Sequence, residues 1–113
     1  MHEMSIAMNI LTIACDEAQK TGAHSISRID LDIGMLAGIM TDSLQFCYNS
    51  ACKGTLAEGS TLTINEIPAK ATCQTCEHTF EIHAFMAMCP HCQGHKIDIV
   101  QGREMQLKSV RVT

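Results

Sequence analysis

Four of the seven cysteines in this 113-residue chain stand in two pairs, and the pairs could hold a metal. Cys73-Gln-Thr-Cys76 and Cys89-Pro-His-Cys92 are C-x-x-C knuckles separated by twelve residues. A two-residue gap lets both sulfurs of a knuckle reach one ion while the backbone turns toward them. Zn²⁺ prefers four tetrahedral ligands, and thiolates satisfy it without leaving a net positive ion buried. A closed four-sulfur set has no open position for substrate, so the zinc is expected to be structural. Two disulfides, free thiols, or iron in the same ligands are the competing readings. A reducing compartment weighs against the disulfides.

Histidines crowd the same segment. His78 and His91 lie within two residues of a knuckle cysteine, and His95 lies three beyond Cys92. These three are candidates for outer-shell groups or replacement ligands. His83 reads as an exposed residue of a polar ribbon. Cys15 and Cys47 fall on apolar helical stripes, where a thiol acts as a small core residue. Cys52 lies near a helix end without an assigned role. None of the three has a base at motif spacing, so none reads as a nucleophile.

The amino terminus offers a second metal site. His2 is too large for methionine removal, so Met1 is expected to stay. The α-amino group, the His2 amide nitrogen and the His2 Nδ1 then close two fused chelate rings. Three nitrogens in a plane suit Ni²⁺ or Cu²⁺ better than Zn²⁺. A fourth ligand could come from the Glu3 backbone, its carboxylate, or another side chain. In the competing reading His2 is incidental, and Glu3 only complements the dipole of the helix that follows.

The elements that position these residues follow from periodicity. Met4, Met8, Leu11, Cys15 and Ala18 recur at helical steps over residues 4–20, widened by Ile6, Ile10 and Ile13. Ile29, Leu31 and Ile33 alternate with charged residues in a strand over 26–33. Thr41 is expected to cap a second helix through about Ala51, with Leu44, Cys47, Tyr48 and Ala51 on one face. Leu62 and Ile64 mark a second strand, stopped by Pro68. Met105 and Leu107 begin a last one, and both are expected to bury. The expected fold is α+β: two helices on a three-stranded sheet, with an inserted rubredoxin-like zinc ribbon. Residues 1–68 plus 101–113 form the larger, discontinuous domain, and 69–100 form the zinc domain.

Twelve acidic residues against eight basic ones, with no basic cluster, argue against a nucleic-acid partner. Only Lys70 and Lys96 lie in 69–100, which disfavours the alternative of a zinc-ribbon interaction module in transcription or RNA processing. A zinc hydrolase would need an open metal position and a base carboxylate. Met1-His2-Glu3 lacks the basic flank of a signal peptide, and no apolar run is long enough to span a bilayer. A cytoplasmic protein without membrane contact is expected, as a monomer or homodimer.

Met1-His2-Glu3-Met4-Ser5 before a helix, Ile33-Gly34 ending the first strand, and the doubled C-x-x-C near the C-terminus resemble the HypA/HybF family. These are nickel metallochaperones for [NiFe]-hydrogenase maturation, and the resemblance covers essentially the whole chain. It implies a nickel site at Met1, His2 and Glu3, and zinc at Cys73, Cys76, Cys89 and Cys92. It also implies no enzymatic activity of its own. Implied partners are a HypB-type GTPase and the hydrogenase large-subunit precursor, with a role in urease maturation in some members. In some members histidines flanking the zinc cysteines enter the zinc shell. His78 fits that pattern, but position 93 is Gln, where a histidine directly after the last cysteine would stand.

Overall fold

The computed structural model describes residues 2–113. Two helices and six strands follow one another as α1 (His2–Lys20), β1 (Ile26–Gly34), α2 (Thr41–Ala51), β2 (Thr61–Ile67), β3 (Ala69–Cys73), β4 (Thr79–Ile82), β5 (Ile97–Gln101) and β6 (Met105–Val112). The strands form two sheets, ordered β2-β1-β6 and β4-β3-β5. The last strand therefore returns beside β1 after the ribbon, and the expected three-stranded sheet is present. The chain divides into two compact units. Among the described residues one holds 2–31, 39–65 and 106–113; the other holds 32–38 and 66–105.

In the first unit α1 packs against α2. The face that α1 buries is Ile6, Ala7, Ile10, Leu11, Ala14 and Ala18. Met8 and Ile13, expected in the stripe, are instead 53% and 51% exposed. Ala7 and Ala14, outside that stripe, are buried instead, because small side chains let the helix approach closely along a face that hydrophobicity alone does not single out. β1 buries Ile29 and Leu31 here, and Ile33 in the second unit, as its alternation requires, while Arg28, Asp30 and Asp32 are half-buried.

Leu44, Cys47 and Tyr48 bury on α2, and Gln45 Nε2 donates to the Leu62 carbonyl of β2 at 2.7 Å. The Tyr48 and Ser60 hydroxyls bond one another, and Cys52 Sγ lies 3.9 Å from Ser60 Oγ. Burial pushes the Tyr48 phenol well above its ordinary range. Cys52 is thus a core thiol beneath the turn that follows α2. Met105 departs from expectation: it is 54% exposed, and Leu107 is only half-buried.

In the second unit β3 runs antiparallel to both neighbours, with Ala71 opposite Phe80 on β4 and Ile99 on β5. The β3–β5 register slips between Lys70, opposite Gln101, and Ala71, so Val100 is the extra residue of a bulge. Ala69, Ala71 and Ile82 form this unit's small core, flanked by Leu36, Phe80, Ala87, Ile97 and Ile99. So small an apolar core is the kind that a metal commonly supplements.

Candidate metal centre

The first knuckle is a tight turn at the end of β3, the second a tight turn in the segment between β4 and β5, and the two turns repeat one hydrogen-bond pattern. Cys73 N–H donates to the His78 carbonyl and Glu77 N–H to the Cys73 carbonyl, both at 2.9 Å. Sixteen residues later, Cys89 N–H donates to Gly94 O and Gln93 N–H to Cys89 O, both at 2.8 Å. The residue after the second cysteine is left-handed in both, with φ of 63° at Glu77 and 64° at Gln93. Gln74 joins the first knuckle to β5: its amide donates to Lys96 O and its Nε2 to Asp98 Oδ1, both at 2.9 Å.

These turns bring all four sulfurs together, within 4.8 Å of one another. Cys73 Sγ lies 3.4 Å from Cys92 Sγ, and Cys76 Sγ lies 3.6 Å from Cys89 Sγ. Tetrahedral zinc with bonds of about 2.3 Å sets its sulfurs about 3.8 Å apart, so the cluster needs little adjustment to enclose the ion. Among the described residues every cysteine is a free thiol, which removes the disulfide reading from this arrangement. Cys73 and Cys89 are fully buried, while Cys92 is exposed.

Amide hydrogen bonds prepare the thiolates. The Cys76 and Thr75 backbone bonds to Cys73 lower its pKa to about 6. At Cys89 burial opposes ionisation, but the Cys92 and His91 backbone bonds and the neighbouring thiols outweigh it and lower the pKa. At Cys76 the His78 backbone bond favours the thiolate, yet burial and the other three thiols raise the pKa to about 12. Cys92 is raised likewise: the Gly94 backbone bond favours the thiolate, but the Cys73 thiol and burial outweigh it. Four such sulfurs cannot all be negative without a cation among them. The donor set therefore fits a structural zinc ion, which would cross-link the two turns and supply no reaction.

The histidines lie outside this cluster. His78, His83, His91 and His95 are all exposed. His78 stacks on His91 with ring centroids 5.4 Å apart, and on Phe80 at 6.1 Å. His83 faces Glu81 at 3.9 Å. Among the described residues the four cysteines are the one group of three or more potential ligands brought together.

Of the amino-terminal candidates, Met1 lies outside the described residues. His2 is exposed at the first position of α1. Amides in a first helical turn have no acceptor within the helix, so those of His2 and Glu3 are not committed to its ladder. The Glu3 carboxylate accepts a hydrogen bond from Met40 N–H at 3.3 Å. Sequence reading missed this contact, since nothing in the spacing links positions 3 and 40. The paired left-handed residues had a possible signal: each directly follows the second cysteine of its knuckle.

The family model for HypA, described as hydrogenase/urease nickel incorporation metallochaperone, matches residues 1–112. The chain belongs to the HypA family. The hydrogenase maturation factor HypA of Chlorobium limicola is 45% identical over 112 residues, covering 99% of this chain and 97% of that protein. That of Chlorobaculum parvum is 38% identical and covers 99% of both. A solution structure of a HypA protein superposes with a TM-score of 0.75 at 25% identity, over 100% of this chain and 97% of the other. The solution structure of the nickel metallochaperone HypA from Helicobacter pylori gives 0.66 at 24% identity, over 97% and 96%. The fold is thus the HypA fold, two helices with three-stranded sheets and a four-cysteine cluster. Nickel is the cargo of this family of maturation factors. Among the described residues no helix is long and apolar enough to cross a membrane.

Proposed function

We propose that this chain binds Ni²⁺ at its amino terminus and delivers it for [NiFe]-hydrogenase maturation. The observation that carries the reading is the HypA match over residues 1–112, in a chain whose His2 is exposed at the start of α1. The chelate consists of the Met1 α-amino group, the His2 amide nitrogen and His2 Nδ1, with Glu3 alongside. The metal displaces a proton from the amide, so acid opposes binding. A terminal site suits transfer, because a chain end can reach a partner and release its ion without opening a core.

Cys73, Cys76, Cys89 and Cys92 hold zinc, which maintains the ribbon and catalyses nothing. The division of labour assigns nickel to a domain of residues 1–68 plus 101–113 and zinc to a domain of 69–100. The protein is a carrier and not an enzyme. The hydrogenase large-subunit precursor receives the metal, and a GTPase of the HypB type takes part. Urease is a second recipient that the family description accommodates. Delivery takes place in the cytoplasm.

Calorimetric titration with Ni²⁺ tests the site on zinc-loaded native protein, protein carrying one extra residue before Met1, and His2→Ala. Both alterations are expected to abolish tight binding, one by removing the amine from the chelate and the other by removing the imidazole. Equal affinity in all three would rule out the amino-terminal site.

A further inference from the structure

Consecutive residues at the start of α1 have opposite surroundings. His2 is exposed, whereas the next two side chains reach α2. Glu3 Oε2 accepts from Met40 N–H at 3.3 Å. Met4 lines a depression of about 370 Å³ together with Asp42, Ser43, Phe46 and Cys47 of α2. A polar anchor and an apolar one thus follow each other directly after the histidine.

The polar anchor answers a need of α2. Its N-cap residue is Met40, in extended backbone with φ −83° and ψ 108°, and no side-chain cap bond forms there. A thioether has no oxygen to offer the first-turn amides. Leu44 N–H closes the first turn on Met40 O at 3.0 Å. The start of α2 carries the partial positive charge of the helix dipole, so a carboxylate beside it is favoured. Glu3 supplies that charge, and an acceptor for Met40 N–H, from 37 residues away in the chain.

We infer that Glu3 is a positioning residue of the nickel site, whose carboxylate ties the amino-terminal turn to the start of α2 and stays outside the metal's coordination shell. This rests on the amino-terminal nickel reading above. Chelation must order the amine, the His2 amide and the imidazole around one ion. Fixing residue 3 beforehand removes part of the conformational entropy that this ordering costs. Glu3 then acts on nickel through the position of the backbone and leaves the donor set unchanged.

The test compares native protein, Glu3→Gln and Glu3→Ala, all zinc-loaded. The Met40 amide chemical shift is read without nickel, and calorimetry and the nickel d–d absorption band are read with it. Glu3→Ala should move the Met40 resonance and weaken nickel binding about fivefold, the effect of a lost cap. The absorption band should stay in place, because the nitrogen donors remain. Glu3→Gln keeps an acceptor and should recover most of the affinity. A displaced band in Glu3→Ala would make the carboxylate a ligand and overturn the inference. A Met40 resonance identical in all three proteins would overturn the tether itself. If His2→Ala binds nickel like native protein while Met40 still responds to Glu3, the nickel site is elsewhere. The tether would then stand without a nickel role, and the positioning assignment would fall with the site.

Discussion

Gly34 and Gly102 approach so closely that a Cβ on Gly34 would lie 2.0 Å from the Gly102 carbonyl oxygen and 2.1 Å from its carbon. The contact sits where β1 ends. Gly34 N–H donates to Glu104 O and Leu36 N–H to Gly102 O, both at 2.7 Å. Neither backbone can retreat without breaking these bonds. Gly34→Ala should therefore destabilise the protein by about 3 kcal/mol or more, at the upper end of overpacking costs. Gly22 is a control: its φ is +74°, but nothing lies within 4 Å of its Cβ position. Gly22→Ala should cost only about 1 kcal/mol, for left-handed backbone alone. Denaturant melts of the two variants distinguish these costs, and similar midpoints would contradict the close approach.

Asp30 on β1 accepts from Ser109 Oγ on β6 at 2.7 Å and from Arg28 Nε at 2.9 Å. The Ser109 bond, then the Arg28 bond, hold its carboxyl below the usual aspartate range. A folded-state pKa below the unfolded one gives stability that is present above the unfolded pKa of about 3.9. That stability is lost as pH falls through the folded value. Ser109→Ala should lower the melting temperature at pH 7, and the difference from native protein should shrink at pH 3. A difference that persists unchanged in acid would place the effect of Ser109 elsewhere than on Asp30.

Glu77 and Gln93 hold left-handed backbone at matching places in the two knuckles. A side chain costs about 1–2 kcal/mol in that conformation, and glycine escapes it at some cost in unfolded-state entropy. Glu77→Gly and Gln93→Gly should therefore leave stability unchanged or raise it by up to about 1 kcal/mol. Zinc affinity should be retained in both. Measured destabilisation of either glycine variant beyond experimental error would argue against the paired turns.

Much of this architecture was legible in the sequence, and what was hidden has physical causes. Thr41–Ala51 and the four-cysteine cluster stand out because helical spacing and paired thiols are local signals, although the N-cap of α2 is Met40 and the capping bond expected of Thr41 does not form. The buried face of α1 departs from the expected stripe because Ala7 and Ala14 carry little hydrophobicity while Met8 and Ile13 carry much; Ile6, Ile10, Leu11 and Ala18 bury as expected. Close helix packing selects small residues, and an apolar scale does not report that. Met105 departs for another reason: it is the first residue of β6, and Leu107, two residues on along the same face, is half-buried while Met105 is exposed, so alternation marks the face without saying how far along the strand the cover extends. β3 was not anticipated, since Ala69 and Ala71 make a faint stripe, although both are almost wholly buried. The link from Glu3 to Met40 is a tertiary contact between remote positions, for which a single sequence holds no signal.

Zinc removal should act unequally on the two compact units. The first has its own apolar core, with Ile29, Leu31, Leu44 and Tyr48 among its most deeply buried residues. In the second, the buried apolar cluster of the ribbon is Ala69, Ala71 and Ile82, with partly exposed residues around it. Alanine burial contributes little, so the four sulfurs must carry much of the order of this unit through the metal. Cys73→Ala removes a fully buried ligand and leaves three, one short of a closed site. That variant should lose most of its zinc and broaden or shift amide resonances from Glu66 to Met105, while those of α1 and α2 keep their dispersion. Chelation of native protein should reproduce the pattern, and adding zinc back should reverse it. Lowering the pH should release zinc without a chelator, because protons compete with the ion for all four thiolates. A chelated protein whose ribbon resonances remain as sharp and dispersed as before would show that the apolar residues alone support the ribbon. In that case zinc would have to be assigned a role other than holding the fold.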